Sequence, residues 1–216
     1  MPIVDPWPHQ RPRSSLRRGF TLIELLTVIA ITGLLAAILL PTVTAARVSV
    51  NKARTRVRFN EWAAAIESFR QEYGFYPALG TGNGLFTLND TVTFYRTLTG
   101  QNPDASGTPT VAQLNGNTKR IIFYAFGDSE IVNDPASPNY GRLVDGFGCP
   151  AIAVMVDQNG DGLIKRDGSD GTVPGLGAGN WTPSTADFPA SGVHAGVIFY
   201  SAGKNEDASD LVLSWK

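Results

Sequence analysis

From Phe20 to Leu40 the chain runs 21 residues with a single charge, Glu24. A helix of that length rises about 30 Å at ~1.5 Å per residue, close to one bilayer hydrocarbon thickness. The pattern therefore predicts a membrane-spanning helix, and it places a carboxylate inside it. Beyond Pro41 the apolar positions thin into stripes. Ala46, Val50, Ala53 and Val57 recur at helical spacing on one face, and Phe59, Trp62, Ile66, Phe69 and Tyr73 on another. Two arrangements fit these stripes. In one, the upper stripe packs on a soluble domain while the lower meets neighbouring subunits; in the other, a single bent amphipathic helix lies on one core.

Gly74 and Pro77 should end this helix. A Gly-rich loop (80–84) follows. Asn89 or Asp90 is placed to cap a short helix carrying Phe94, Tyr95 and Leu98 and ended by Gly100. Residues 101–118 read as a loop, and the apolar run from Ile121 to Phe126 as a strand or a covering segment. Three strands are expected at Ala151–Val156, Val197–Ser201 and Leu211–Trp215. Residues 165–190, rich in Gly, Asp and Pro, read as an exposed loop. No internal repeat is present. The expected class is α+β: a long N-terminal membrane-spanning helix with a small antiparallel sheet packed on its C-terminal half.

Composition narrows the picture. In 216 residues there is room for one membrane helix and one soluble domain, and a net charge of −1 gives no support for nucleic-acid binding. The Arg47–Arg58 cluster reads as the solvated start of the extramembrane helix, or as a lipid headgroup contact. Arg11, Arg13, Arg17 and Arg18 precede the apolar run, whereas Arg47, Lys52, Arg54, Arg56 and Arg58 follow it, so charge counting leaves the orientation open. Cys149 is alone, which excludes an intrachain disulfide.

Glu24 decides among three readings of the apolar run. A secretory signal could be cut near Val43-Thr44-Ala45-Ala46, but the run is long for such a core. An uncleaved anchor fits the length and gives Glu24 no role. A carboxylate at a membrane-helix centre costs about 2.5–3.5 kcal/mol, less near the end, so it needs a partner or a function. Cleavage between Gly19 and Phe20 supplies a partner: the new α-amino group is a cation four residues from Glu24, and a neighbouring copy could donate it. Pairing between successive copies is heterologous and, where rotation does not close, builds a helical filament.

Arg17-Arg18-Gly19-Phe20-Thr21-Leu22-Ile23-Glu24-Leu25-Leu26 resembles the cleavage and methylation signal of type IV pilins and pseudopilins. The resemblance implies that a prepilin peptidase cuts after Gly19 and methylates Phe20, that Glu24 sets register in assembly, and that Pro41 kinks the helix. Tyr73-Gly74-Phe75-Tyr76-Pro77 is similar to the segment closing the long helix in major pseudopilins of type II secretion. Asp145-Gly146-Phe147-Gly148-Cys149-Pro150 is similar to their Asp-Pro-Trp-Gly-x-Pro strand entry. The implied organisation is a cleaved leader (1–19), a transmembrane and filament-core helix (20–41), its extramembrane continuation (42–77) and a globular α+β periplasmic domain (78–216). The implied partners are further copies of the chain in a helical filament, a prepilin peptidase, an inner-membrane assembly platform, minor pseudopilins and the lipid bilayer. The implied location is the bacterial inner membrane, single-pass, with assembly into a periplasmic filament.

Two stretches are candidates for structural calcium. Asp157-Gln158-Asn159-Gly160-Asp161-Gly162 places oxygens at alternate positions before a glycine, the front half of an EF-hand loop. Its twelfth position is Gly168 instead of a bidentate acid, and a polar hairpin turn explains the same residues. The stretch from Ser201 to Asp210 resembles the acidic calcium loop of major pseudopilins. That implies Asp207 and Asp210 as carboxylate ligands and Tyr200 and Ser201 as backbone donors; Lys204 and Glu206 depart from the family loop, and a solvated hairpin tip is the alternative. His9 lies in the leader, His194 sits in a loop without a second histidine or a plausible nucleophile nearby, and no Ser-His-Asp or Cys-His pattern points to an enzyme. The expected function is a structural subunit of a secretion-system pseudopilus. A type IV or minor pilin, and a membrane-anchored or secreted calcium-binding module that does not polymerise, are the alternatives.

Overall fold

The computed structural model describes residues 19–79, 88–103, 107–177, 179–204 and 210–216. The leader before Gly19 and the Gly-rich 80–84 loop lie outside them. Helix α1 spans Leu22–Tyr73 and runs without interruption through Pro41. It ends as expected: Gly74 adopts φ +80 and its amide closes on the Arg70 carbonyl at 2.7 Å. The chain divides into two compact units after Ala45, with α1 contributing to both.

Within the second unit the two stripes of α1 part company. Phe59, Trp62, Ile66 and Phe69 are fully buried, whereas Ala46, Val50, Ala53 and Val57 are exposed. The first of the two expected arrangements therefore holds for the upper stripe. Helix α2, Leu88–Thr99, closes on Gly100 at φ +67. It begins earlier than expected, so Asn89 and Asp90 fall inside its first turn rather than before it. A short 3-10 turn, Val111–Leu114, interrupts the expected loop.

Strands β1 (Ile152–Val156), β2 (Val197–Ser201) and β3 (Val212–Leu213) form one antiparallel sheet in the order β1-β2-β3. The registers pair Val154 with Phe199 and Tyr200 with Leu213. One face carries Ile152, Val154, Val156 and Phe199 onto Phe59, Trp62 and Ile66 of α1 and Phe94 and Leu98 of α2. Trp62 sits at the centre, with ring centroids 5.6–5.7 Å from Phe59, Phe94 and Phe199. Each such pair adds about 0.5–1.5 kcal/mol beyond area burial.

The other face is also covered, which corrects the expectation of an exposed loop at 165–190. Leu176 and Phe188 from that segment are fully buried, packed with Tyr200, Ile198 and Met155. Gly, Asp and Pro specify irregular backbone, not exposure, and here the irregular chain forms a lid over the sheet. Burial on both faces explains why β1 and β2 are continuous apolar runs. Ile121–Phe126 is a covering segment: the Phe123 amide donates to the Leu98 carbonyl at 2.8 Å, and the segment joins no strand. Its aromatic rings pack instead onto Phe69 near the end of α1 and Phe94 in the middle of α2.

Candidate processing and assembly site

Every residue from Gly19 to Arg47 is exposed, including the large side chains Phe20, Leu22, Ile23, Leu34 and Leu40. A helix this apolar and wholly uncovered has no stable place in water; it requires lipid or protein around it. Its start is built by a reciprocal cap. The Thr21 amide and hydroxyl donate to Oε2 of Glu24 at 2.8 and 2.7 Å, and the Glu24 amide donates back to the Thr21 hydroxyl at 3.3 Å. This is a capping box, satisfying donors that the first helical turn leaves open. Sequence reasoning found Glu24 but missed its intrachain partner, although the Thr-x-x-Glu spacing was there to be read. The box holds the carboxylate at the helix start, beside Gly19 and Phe20. Beyond Pro41, the Thr42 and Thr44 hydroxyls donate to the carbonyls of Leu39 and Pro41, each at 2.8 Å.

The segment before β1 is fastened to α1. Asp145 accepts the amides of Phe147 and Cys149 at 2.8 and 2.9 Å and the Ser201 hydroxyl at 2.8 Å. Burial pushes its pKa up, and those hydrogen bonds pull against that shift. The Gly146 amide donates to the buried Thr55 hydroxyl at 2.9 Å, and a Cβ on Gly146 would lie 2.5 Å from the Asn51 carbonyl. Arg58 completes the attachment, with Nε 3.3 Å from Glu130, Nη1 donating to the Val144 carbonyl at 2.6 Å and Nη2 to Ser129 at 3.2 Å. None of the links from this segment to Thr55, Arg58 and Ser201 was visible in the sequence, because they join residues 56 to 91 positions apart.

The first calcium candidate forms one turn. Asp157 accepts the amides of Gly160, Asp161 and Gly162 at 2.7, 3.2 and 2.9 Å. Asn159 accepts the Asp161 amide, and Asp161 accepts the Leu163 amide and pairs with Lys165. That ammonium lowers the Asp161 pKa first, and the Leu163 amide adds to it. Asp170, fully buried, closes the turn by accepting the amides of Gln158 and Lys165 at 3.1 and 2.9 Å. Asp170 lies two positions beyond Gly168, the twelfth of the EF-hand pattern, so that pattern does not point to it.

In the second candidate, Tyr200 and Ser201 lie in β2, the central strand, paired on both sides. Asp210 faces Lys52 of α1 at 3.5 Å, and Asp207 lies outside the described residues. Among the described residues, no group of three His, Cys, Asp or Glu side chains is arranged to hold a metal.

Residues 14–40 match the prokaryotic N-terminal methylation motif. No curated protein and no solved structure matches the chain. The chain thus carries the N-terminal signal of type IV pilin-like prepilins on an apolar helix suited to membrane anchoring. That signal implies processing by a prepilin peptidase and pilus-like assembly, and it points to a structural subunit rather than an enzyme.

Proposed function

We propose that this chain is a structural subunit of a helical pseudopilus, most similar to a major pseudopilin of type II secretion. In this reading the peptidase cuts after Gly19 and methylates Phe20, leaving a cation at the start of α1. Glu24 then exchanges its intrachain Thr21 contacts for the amine of a neighbouring copy, which fixes subunit register. The exposed helix from Phe20 to Leu40 passes from lipid into the filament core, exchanging one apolar surround for another. Residues 42–73 continue the helix outside the membrane, and the α+β domain faces the periplasm. The observation carrying this reading is the coincidence of the matched motif with a fully exposed apolar helix whose one charge is held at its start.

The specific pseudopilin assignment is supported by the Tyr73–Pro77 helix closure, the Asp145–Pro150 strand entry and the acidic stretch before β3. A structural calcium in that last stretch, using Asp207 and Asp210, belongs to the same proposal; there it would displace Lys52 from Asp210. The reading is tested with Glu24→Ala in the full chain. Membrane insertion and leader removal should persist while filament assembly is lost. Normal filaments from this variant would remove Glu24 from the assembly mechanism.

A further inference from the structure

The exposed stripe of α1 in the second unit has a charge problem that one chain does not solve. Ala46, Val50, Ala53 and Val57 form an uncovered apolar strip, and Arg47 and Arg54 flank it seven residues apart on one side. Neither arginine has an ion-pair partner among the described residues. Residues 47–58 hold five cations and no carboxylate, whereas residues 59–216 hold nine cations against seventeen carboxylates. Part of that acidic surplus is exposed and equally unpaired. Among the described residues Glu61 makes no ion pair and lies 3.2 Å from the Tyr124 hydroxyl, whose single proton goes to Glu130 at 2.7 Å, and Asp128 and Asp134 have no ion pair either.

We propose that the strip from Ala46 to Val57 docks on the acidic surface of a second copy, with Arg47 and Arg54 meeting carboxylates of the Glu61 and Asp128 region. Two strips cannot meet each other, because that would oppose arginine to arginine. Basic strip to acidic surface is head to tail, and a head-to-tail contact that does not close propagates. The apolar residues supply the burial, and the charges choose the partner surface and its polarity. The polymeric consequence rests on the filament reading above; the docking itself does not require it. The contact lies outside the membrane segment and does not involve Glu24, so it gives the polymer a second, independent register.

The test uses the full chain in membranes, with a benzophenone amino acid at Val50. Irradiation should give adducts between copies, in a ladder of multiples, mapping near Glu61 and Asp128. Arg47→Glu with Arg54→Glu should cut the yield several-fold, since each exposed pair is worth up to about a factor of five. Adding Glu61→Arg with Asp128→Arg should restore it, which a merely misfolded variant would not show. Adducts only to lipid or to other proteins, or a yield indifferent to charge reversal, would overturn the docking. Filaments without Val50 adducts would sink the docking and leave the filament reading standing. Adducts from a chain that keeps its leader would do the reverse.

Discussion

Replacing Arg58 by Met tests whether the polar attachment of the 124–148 segment to α1 is structural in earnest. The side chain is only 12% exposed and its partner Glu130 only 7%. The substitution keeps most of the aliphatic volume but removes donors to Val144 and Ser129 and strands the Glu130 charge. Losing one member of a buried pair costs about 3–5 kcal/mol. The Tyr124 hydroxyl and the Gly127 amide still donate to Glu130, at 2.7 and 2.8 Å, so the low end, about 3 kcal/mol, is expected. For a domain of this size that is a fall of roughly 6–12 °C in melting temperature. Trp62 lies in the core, half-buried Trp181 and Trp215 pack against the other face of the sheet, and the three report it through near-ultraviolet circular dichroism of the full chain in detergent. Glu130→Gln strands the Arg58 charge instead, but the guanidinium keeps its Val144 and Ser129 acceptors, so it should cost no more than Arg58→Met, and the double variant less than the sum. An Arg58→Met variant melting within about 2 °C of the parent would refute the reasoning, because that change corresponds to under about 1 kcal/mol.

Other outcomes follow from the same geometry. Gly146→Ala must push a methyl against the Asn51 carbonyl and should cost about 1–3 kcal/mol, while Gly127→Ala, which meets only Glu130 at 4.0 Å, should be nearly silent in the same melt. Asp145 has its pKa raised by burial, so its contribution to stability is present below the unfolded value and is lost as pH rises through the folded one. The stability of the parent relative to Asp145→Asn should therefore decline from about pH 4 upward, in paired melts across pH; a difference that grows with pH would contradict the burial argument. Calcium at about a hundredfold excess over its dissociation constant should stabilise by roughly 2.7 kcal/mol. Thermal melting should show that increase, and Asp207→Ala should remove it while Asp157→Ala keeps it; no calcium response in the parent would end the calcium proposal.

The sequence carried the elements whose signals are local. The uninterrupted apolar run, the buried stripe ending at Phe69, the Gly74 and Gly100 stops and the cores of β1 and β2 all follow from periodicity and backbone chemistry. What was hidden was tertiary. The covering role of Leu176 and Phe188 could not be read from a Gly-rich segment, because two large apolar residues in an irregular stretch have no period. Arg58, Thr55 and Ser201 acquire their roles from partners far along the chain. Lys52 opposite Asp210 likewise depends on how the stretch before β3 meets α1. At the processing site the reverse holds: Gly19, Phe20 and Glu24 are defined by spacing alone. Thr21 is equally legible, through its Thr-x-x-Glu spacing to Glu24.

The central claim is that the chain matures to a free, methylated Phe20 whose charge answers Glu24 of another copy. Intact-mass and N-terminal peptide mass spectrometry of the protein from its native membrane tests it most directly. The account predicts a chain beginning at N-methyl-Phe20, with nothing upstream of it. A chain retaining Arg17-Arg18-Gly19, or one beginning near Arg47, would contradict it.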